Sequence, residues 1–283
     1  MPELPEVQTV VSQLDAHVSG KIIASFWTDW SKKILTPLAT FRKKTTGATI
    51  IGARRIGKHI VIDLDNEYSI VGHLKMTGHF LYKTPETKNN PAFTEDSYNS
   101  YIHHIFTFTD GGTLEFSDMR KFGWLRIFPT KDVDDLKSIA DLGIDALSPK
   151  LTVKELKSIY EKRAHRTIGE TLLEQNLVAG LGNIYRSEAL FLTGVLPTRR
   201  VGDVTPEEWE LLLPSIKKVL RSAVRLQGTS DGDFRDLFGL QGRFQRTLYV
   251  YQRHGEPCKK CGTIIVRKKL GSRSIFFCTT CQK

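Results

Sequence analysis

The chain has 283 residues, of which 40% are hydrophobic and 25% charged, and a formal net charge of +10. This composition is typical of a soluble globular protein with one large domain or two ordinary ones. No apolar run approaches the roughly 18 residues of a membrane span. Glu3 and Glu6 stand where a signal peptide carries basic residues, so a cytoplasmic location is expected.

The positive charge is concentrated near the C-terminal end. Residues 243–283 hold ten Lys or Arg against one acid, Glu256, which leaves only +1 for the residues before them. Such a basic, ordered-looking segment is typical of a surface that binds a polyanion. The alternative is a solvated basic tail.

The first half of the chain is predicted to be an all-β core with flanking helices. Apolar residues at helical spacing predict an amphipathic helix over 5–18, which ends before Gly20. Residues 48–128 then contain short runs rich in β-branched and aromatic residues, with a hairpin signal at 110–112. Six such runs predict strands: 60–64, 68–74, 79–82, 103–110, 112–118 and 123–128. We therefore predict an N-terminal β-sandwich domain over 1–130.

The second half is predicted to be helical. Residues 131–150 are acidic and rich in turn residues, and we interpret them as an interdomain linker. A helical domain is predicted over 151–242, with helical patterns up to residue 227 and a loop over 228–242. Thr205, which stands before a proline and two glutamates, predicts the N-cap of the last helix. The C-terminal segment is then 243–283.

Two glycines interrupt the helical patterns, in the stretch AGLGN. Gly180 and Gly182 would expose backbone N–H groups at the start of the following helix, which is a favourable place for a phosphate. Asn183 adds a side-chain donor. A glycine pair that serves only the turn is the alternative.

Four cysteines lie in the basic segment as two Cys-x2-Cys pairs with sixteen residues between them. This spacing is typical of a structural zinc site closed by four thiolates. Disulfides are the alternative, but a reducing cytosol disfavours them. The predicted ligands of one zinc ion are Cys258, Cys261, Cys278 and Cys281.

A basic β-hairpin is predicted between the two cysteine pairs. β-like runs at 264–266 and 275–277 flank a turn whose tip extends from Lys268 to Arg273. Long cations on a rigid tip are suited to phosphate contacts.

The chain as a whole resembles the formamidopyrimidine-DNA glycosylase and endonuclease VIII family of base-excision repair enzymes. Three separated motifs carry the resemblance: MPELPE, EQNLVAGLGNIYRSEALF and the four-cysteine finger. It implies an α+β multidomain fold with an N-terminal β-sandwich, a helix-two-turn-helix domain and a zinc-finger hairpin. It also implies a nucleoid-associated monomer that binds damaged duplex DNA.

The resemblance implies a catalytic set near the N-terminus. Met1 is removed in this family, and the nitrogen of Pro2 then attacks C1′ of the damaged nucleotide to form a Schiff base, which leads to β,δ-elimination. Glu3 matches the general acid, and Lys58 matches a lysine that contacts phosphate at the catalytic cleft. Glu6 also matches the family pattern and is a possible lesion contact. The alternative for both glutamates is neutralisation of a helix N-terminus.

A DNA-binding set is implied in the same way. Asn183 and Arg273 match phosphate clamps, one from the helical motif and one from the zinc hairpin. Met76, Arg120 and Phe122 match the three residues that fill the space left by an everted base. Core positions are the alternative for Met76 and Phe122.

Gly169 departs from the formamidopyrimidine type, which usually has a lysine there, and is more like endonuclease VIII. Leu4 and the Met76, Arg120 and Phe122 set instead match the formamidopyrimidine type. We therefore expect oxidised purines, such as 8-oxoguanine and formamidopyrimidines, as substrates, with oxidised pyrimidines as the alternative.

A zinc-finger DNA-binding protein without catalysis is a further alternative. The joint presence of Pro2, Glu3 and Lys58 argues against it.

Overall fold

The computed structural model describes residues 2–283, which form two compact units. The first contains the residues up to Ala140 and also Leu226–Gln245, and the second contains Asp141–Arg225 and Arg246–Lys283. The chain therefore leaves the first unit after Ala140 and contributes to it again with Leu226–Gln245. The domain boundaries given above stay a prediction.

The first unit combines two antiparallel sheets with helices. Its helices are α1 (Leu4–Val18), α2 (Leu38–Thr45), α3 (Pro91–Thr94) and α4 (Lys137–Ala140). Its strands are β1 (Ile23–Thr28), β2 (Ile50–Ile56), β3 (His59–Leu64), β4 (Tyr68–His73), β5 (His79–Lys83), β6 (Ile102–Phe108), β7 (Thr113–Ser117) and β8 (Trp124–Pro129). The strand orders are β1-β6-β7-β5 and β2-β3-β4-β8, which confirms the predicted β-sandwich with flanking helices.

One apolar cluster joins the two sheets and helix α1. Phe80, Phe106 and Phe116 from one sheet pack in the same cluster as Ile62 from the other and Val10 from α1. Each fully buried side chain of this size contributes roughly 1.5 to 3 kcal/mol to stability. Helix α1 is therefore held firmly on the sandwich, and the residues at its start are fixed with it.

All six predicted β-runs between residues 60 and 128 form strands, and the predicted α1 is present with Gly20 in the left-handed region at φ +84°. Strands β1 and β2 were not among these runs. The pairing of β1 with β6 is irregular between Ile23 and Ser25, and burial does not alternate in either strand. Without period-two alternation, the sequence gives little signal for a strand.

The second unit is mainly helical and ends in the hairpin. Its elements are β9 (Ile144–Asp145), α5 (Val153–Glu161), α6 (Ile168–Thr171), β10 (Val178–Ala179), α7 (Asn183–Thr193), α8 (Pro206–Arg225), β11 (Val266–Leu270) and β12 (Arg273–Phe277). Thr205 and Glu208 form a reciprocal capping pair at the start of α8, as predicted. The helix expected from 168 is a single turn, because Val178 and Ala179 instead pair in parallel with β9.

The acidic stretch 131–150 is ordered. It contains the 3₁₀ turn Thr130–Asp135 and α4, and Val133 and Ile139 pack on Val61 and Val71 of the sandwich. No helix among residues 2–283 is long and apolar enough to cross a membrane.

Candidate active site and nucleic-acid interface

The N-terminal stretch leads into α1 through a capping box. Pro2 is buried, Glu3 is the N-cap, and Glu6 occupies the third helical position. The backbone N–H of Glu3 donates to Oε2 of Glu6 at 2.7 Å. Both glutamates thus lie at the positive end of the helix, as the structural alternative expected. This position fixes where their carboxylates point, whatever further chemistry they perform.

Glu6 also holds a distant loop. Its side chain is 1% exposed, and its Oε1 accepts a hydrogen bond of 2.7 Å from the backbone N–H of Thr229. A Cβ at Gly228 would lie 2.8 Å from the same oxygen. Position 228 therefore needs glycine for this close approach, and the loop that begins there is anchored to α1. A lesion contact by Glu6 stays a prediction.

Lys58 lies in the tight turn between β2 and β3. It is 8% exposed, so a freely solvated lysine is the wrong description. Arg55 fixes this turn, because it donates to the carbonyl of Gly57 and to Oε1 of Gln8 in α1, both at 2.9 Å. The turn that carries Lys58 is therefore tied to the helix that begins beside Pro2.

Two histidines next to this turn were not identified from the sequence. The rings of His59 and His73 lie 4.9 Å apart and both lie near Trp124. Burial lowers the pKa of His73 to about 2, with the positive charges of Lys75 and Lys58 acting in the same direction. His73 is thus neutral, and its Nδ1 accepts from the backbone N–H of Lys75 at 2.9 Å. This bond shapes the turn that carries Met76.

A buried carboxylate joins the loops of the three predicted void-filling residues. Thr77, next to Met76, donates from its Oγ1 to Asp118. The backbone N–H of Arg120 donates to Thr77 Oγ1 at 3.1 Å, and that of Gly123 donates to Asp118 Oδ2 at 2.7 Å. Asp118 therefore shapes the loop after β7 and holds it against the loop after β4. Its role was missed because these contacts join separate loops.

Phe122 is exposed rather than part of the core. Its side chain is 45% exposed, and the guanidinium of Arg120 lies 4.7 Å from its ring centre. Met76 is half-buried in its turn. The structure thus brings Arg120 and Phe122 together and holds the loop of Met76 against theirs through Thr77, and the core alternative is wrong for Phe122.

In the second unit, Asn183 and Arg273 line one cavity of about 390 Å³. Asn183 is the first residue of α7, and Gly180 in the preceding turn has φ +104°, which favours glycine. The other lining residues are Tyr251, Gln252, His254, Arg267, Ser272, Ser274 and Phe276. A polar cavity with arginines and an amide at a helix N-terminus is suited to an anion.

Glu188 holds the segment that forms one wall of this cavity. Its carboxylate accepts from the backbone N–H groups of Tyr249, Val250 and Tyr251 at 2.8 to 3.0 Å. Burial raises the pKa of Glu188, while the three N–H donors oppose that shift. Glu188 was not identified from the sequence, because its three partners lie more than 60 residues further along the chain.

Both strands of the hairpin extend into the predicted basic tip. The first is displaced from the predicted run 264–266, because β11 begins at Val266 and Ile264 forms only an isolated bridge with Pro257. The connecting turn is reduced to Gly271 and Ser272, with Gly271 at φ +58°. Phe276 packs with Val250 and Cys258 in a small core. Arg273 therefore extends from a regular strand.

The four cysteine sulfurs lie within 4.8 Å of one another and are not paired as disulfides. Sγ of Cys258 is 3.9 Å from that of Cys281, and Sγ of Cys261 is 3.4 Å from that of Cys278. Tetrahedral zinc with bonds near 2.3 Å spaces its sulfurs by about 3.8 Å. The cluster therefore fits one structural zinc ion, as predicted, with all four positions taken by sulfur.

Comparison with known proteins covers the whole chain. Residues 1–125 match the formamidopyrimidine-DNA glycosylase N-terminal domain, 142–234 its H2TH domain, and 255–283 the zinc finger found in FPG and IleRS. The formamidopyrimidine-DNA glycosylase of Pelotomaculum thermopropionicum is 38% identical, with 100% of this chain and 99% of that protein covered.

Solved structures agree with this comparison. A complex of Lactococcus lactis Fpg with DNA containing an abasic site has a TM-score of 0.89 at 31% identity, and each chain is covered completely. MutM in complex with DNA containing carbocyclic 8-oxo-G has a TM-score of 0.88 at 30% identity, again with complete coverage.

The fold and the site therefore define a base-excision repair enzyme, a DNA glycosylase that is also an AP lyase. The chain belongs to the formamidopyrimidine-DNA glycosylase family. The resemblance, the fold class and the zinc finger predicted from the sequence are all confirmed.

Proposed function

We propose that this protein excises oxidised purines from duplex DNA and cuts the strand at the resulting abasic site, with the nitrogen of Pro2 as the nucleophile. The observation that carries the assignment of residues is the N-terminal arrangement. A buried Pro2 directly precedes the N-cap Glu3, and the turn of Lys58 is tied to the same helix through Arg55.

The reaction needs a free amine at Pro2. While Met1 is attached, the nitrogen of Pro2 belongs to a peptide bond and is not nucleophilic, so Met1 has to be removed first. The free nitrogen then forms a bond to C1′ as the bond from C1′ to the base breaks. The sugar ring then opens as the C1′–O4′ bond breaks and O4′ takes a proton, which leaves an iminium. Because the amine is secondary, this iminium keeps its positive charge, which favours loss of a proton from C2′ and departure of the 3′ phosphate. A second elimination releases the 5′ phosphate.

Glu3 has a place suited to proton transfer. Its side chain is buried and adjoins Pro2 along the chain. A carboxyl group there can give a proton to the sugar ring oxygen as the bond to the base breaks, and can take one back later. We assign Glu3 as the general acid.

Lys58 supplies positive charge from a buried turn. An ammonium held in place by its surroundings contributes more to binding a phosphate than a mobile surface lysine, because less side-chain entropy is lost. We assign it to the phosphate next to the lesion. Glu6, with both carboxylate oxygens already hydrogen bonded, is assigned to positioning the N-terminus and the loop from residue 228.

Damaged duplex DNA is the proposed partner. Asn183 and Arg273 would hold backbone phosphates, because both line the same polar cavity. Phe122 and Met76 would enter the stack where the damaged nucleotide has left it, and Arg120 would hydrogen-bond to the orphaned base. We further propose that the protein works as a monomer in the cytoplasm, associated with the nucleoid.

Oxidised purines are the proposed lesions because structural relatives were solved with DNA containing Fapy-dG or carbocyclic 8-oxo-G. Oxidised pyrimidines are the second candidate, since position 169 is glycine, as in endonuclease VIII. Borohydride trapping distinguishes them, because it converts the Schiff base to a stable protein–DNA adduct. We expect faster trapping on duplexes with 8-oxoguanine or formamidopyrimidine than on duplexes with thymine glycol.

The same assay tests the residue assignments. Pro2→Ala should trap much less adduct than wild type, and Glu3→Gln should retain binding while losing base release. Equal trapping by protein whose N-terminal nitrogen has been acetylated and by untreated protein would refute the assigned nucleophile. Faster trapping on thymine glycol would refute the lesion class alone.

A further inference from the structure

Arg186 is a buried arginine in α7, one turn after Asn183. Its side chain is 1% exposed, and it is among the largest fully buried side chains of the protein. A guanidinium has five N–H donors and no acceptor, so its burial is favourable only where oxygens surround it. Neither its sequence context nor the catalytic scheme above gives it a role.

The guanidinium joins three separate elements. Nη1 donates to the carbonyl of Gly169 in α6 at 2.7 Å. Nη2 donates to Oδ1 of Asn183 and reaches the carbonyl of Ser274 in β12 at 3.4 Å. One side chain thus links the helical motif to the zinc hairpin.

The bond to Asn183 selects one orientation of its amide. Because a guanidinium only donates hydrogen bonds, the amide atom that faces it must be the carbonyl oxygen. The NH2 group of Asn183 is then the end left to face other groups. A phosphate accepts hydrogen bonds and donates none, so this is the orientation that a phosphate clamp requires.

The bond to Ser274 brings the second clamp into the same arrangement. Ser274 directly follows Arg273, and both residues line the cavity with Asn183. Arg186 therefore contacts one clamp residue and the chain neighbour of the other.

Position 169 itself has no room for a side chain. A Cβ there would lie 2.6 Å from the carbonyl oxygen of Pro197 and 3.0 Å from Cδ2 of Leu270. A lysine at this position would displace backbone. Arg186 instead brings a positive charge to the carbonyl of Gly169 from the neighbouring helix.

We propose that Arg186 is a positioning residue of the phosphate clamp. It orients the Asn183 amide, fixes the strand that bears Arg273, and supplies from α7 the positive charge that Gly169 cannot carry. This inference rests on the proposed clamp role of Asn183 and Arg273.

A double-mutant cycle tests the proposal. Affinity is measured by fluorescence anisotropy on a duplex with a tetrahydrofuran abasic analogue, which the lyase step does not cleave, over a series of salt concentrations. The variants are Asn183→Ala, Arg186→Met and their combination. The control is Arg221→Met, which removes one exposed charge from α8 of the same unit.

We expect each single variant to weaken binding about tenfold, since each removes a hydrogen bond to a charged group or its alignment. The combined variant should be weaker than either single variant by less than about threefold, because both act on one interaction. At limiting DNA, the rate of single-turnover cleavage by Arg186→Met should fall about as much as its affinity does, about tenfold. Arg221→Met should bind nearly as wild type, apart from a small change in salt dependence.

The possible results distinguish the role of Arg186 from the clamp role of Asn183 and Arg273. If Asn183→Ala weakens binding but Arg186→Met does not, or if the two losses multiply to about a hundredfold, the role of Arg186 is refuted and the clamp stands. If Asn183→Ala binds DNA as tightly as wild type, both the clamp role of Asn183 and the positioning role of Arg186 are refuted. If Arg186→Met loses zinc or its cooperative melting, the cycle is repeated with Arg186→Lys, which keeps the buried charge without the planar fork. If the affinity losses of Asn183→Ala and Arg186→Lys multiply in the combined variant, the proposal is refuted. If the combined variant loses little more than either single variant, the proposal is supported.

Discussion

The carboxylate of Glu6 accepts a hydrogen bond of 2.7 Å from the backbone N–H of Thr229, a residue 223 positions later in the chain. The same carboxylate binds the N–H of Glu3 through its other oxygen. One buried side chain thus couples the start of the protein to the loop that begins at Gly228. A change at Glu6 should affect the order of both segments.

We predict that Glu6→Gln destabilises the protein by roughly 1 to 3 kcal/mol, because the amide NH2 would face one of two backbone donors and leave it unsatisfied. Urea unfolding measures the loss. Trypsin should also cut faster after Arg235, which lies 3% exposed in the anchored loop. Glu86→Gln, at a fully exposed glutamate, is the control. Wild-type stability and protease resistance in Glu6→Gln would contradict the coupling.

Asp118 should control recognition of an abasic site without taking part in chemistry. Asp118→Asn replaces one of two accepting oxygens by a donor, so the N–H of Gly123 or the hydroxyl of Thr77 loses its acceptor. We expect affinity for duplex with an abasic analogue to fall about tenfold, the equivalent of one hydrogen bond to a charged group, while affinity for undamaged duplex stays nearly unchanged. Asp134→Asn, at an exposed aspartate, is the control. An equal loss on both duplexes would show a general loss of folding instead.

Stability should fall as the pH is lowered below about 6.5. Burial lowers the pKa of His59 and of His104 to about 4, and that of His73 to about 2. The unfolded chain, with histidines near 6.5, therefore binds more protons than the folded chain between pH 6.5 and 4. The free energy of unfolding is therefore highest above pH 6.5, where these histidines are neutral in both states. It decreases as the pH falls from 6.5 to 4. The expected loss at pH 5 is on the order of 1 to 2 kcal/mol per histidine.

The variant His104→Phe isolates one of these contributions. A phenyl ring fits between Phe26 and Phe116, which already flank the imidazole. Although the hydrogen bond to Thr28 is lost, the dependence of unfolding free energy on pH between 6.5 and 4 should become less steep. His165→Gln, at an exposed histidine, should keep the wild-type dependence. An unchanged slope in His104→Phe would show that His104 does not titrate differently on folding.

Removal of zinc should weaken DNA binding through loss of the hairpin. The small core of Phe276, Val250 and Cys258 is closed by the four-cysteine cluster, and structural zinc contributes its binding free energy to folding. A strong chelator, or Cys278→Ser, should reduce affinity for an abasic-site duplex more than tenfold, because the strand bearing Arg273 loses its support. Added Zn²⁺ should restore binding in the chelated wild type, whereas Mg²⁺ should not. Full binding after complete loss of zinc would contradict this.

The sequence and the structure differ most where function is arranged by contacts between separate segments. The six strands from β3 to β8 and the helix caps could be predicted, because alternation and capping residues are local signals. Strands β1 and β2 were not predicted, because burial does not alternate along either of them. The helix predicted from residue 168 was too long, because Val178 and Ala179 pair with β9 although their sequence pattern is helical.

By itself, the sequence determined the zinc ligands, the β-sandwich followed by a helical unit, and the three motifs that mark the family. These features are encoded by residue types at short, fixed spacings along the chain, so they can be recognised without knowing the fold. Only the tertiary structure decided that Glu6 holds Thr229, that Asp118 joins the loops of Met76 and Phe122, and that Arg186 orients Asn183 beside the zinc hairpin. Each of these depends on buried polar groups brought together from distant segments, and a buried donor or acceptor finds its partner only when the chain has packed.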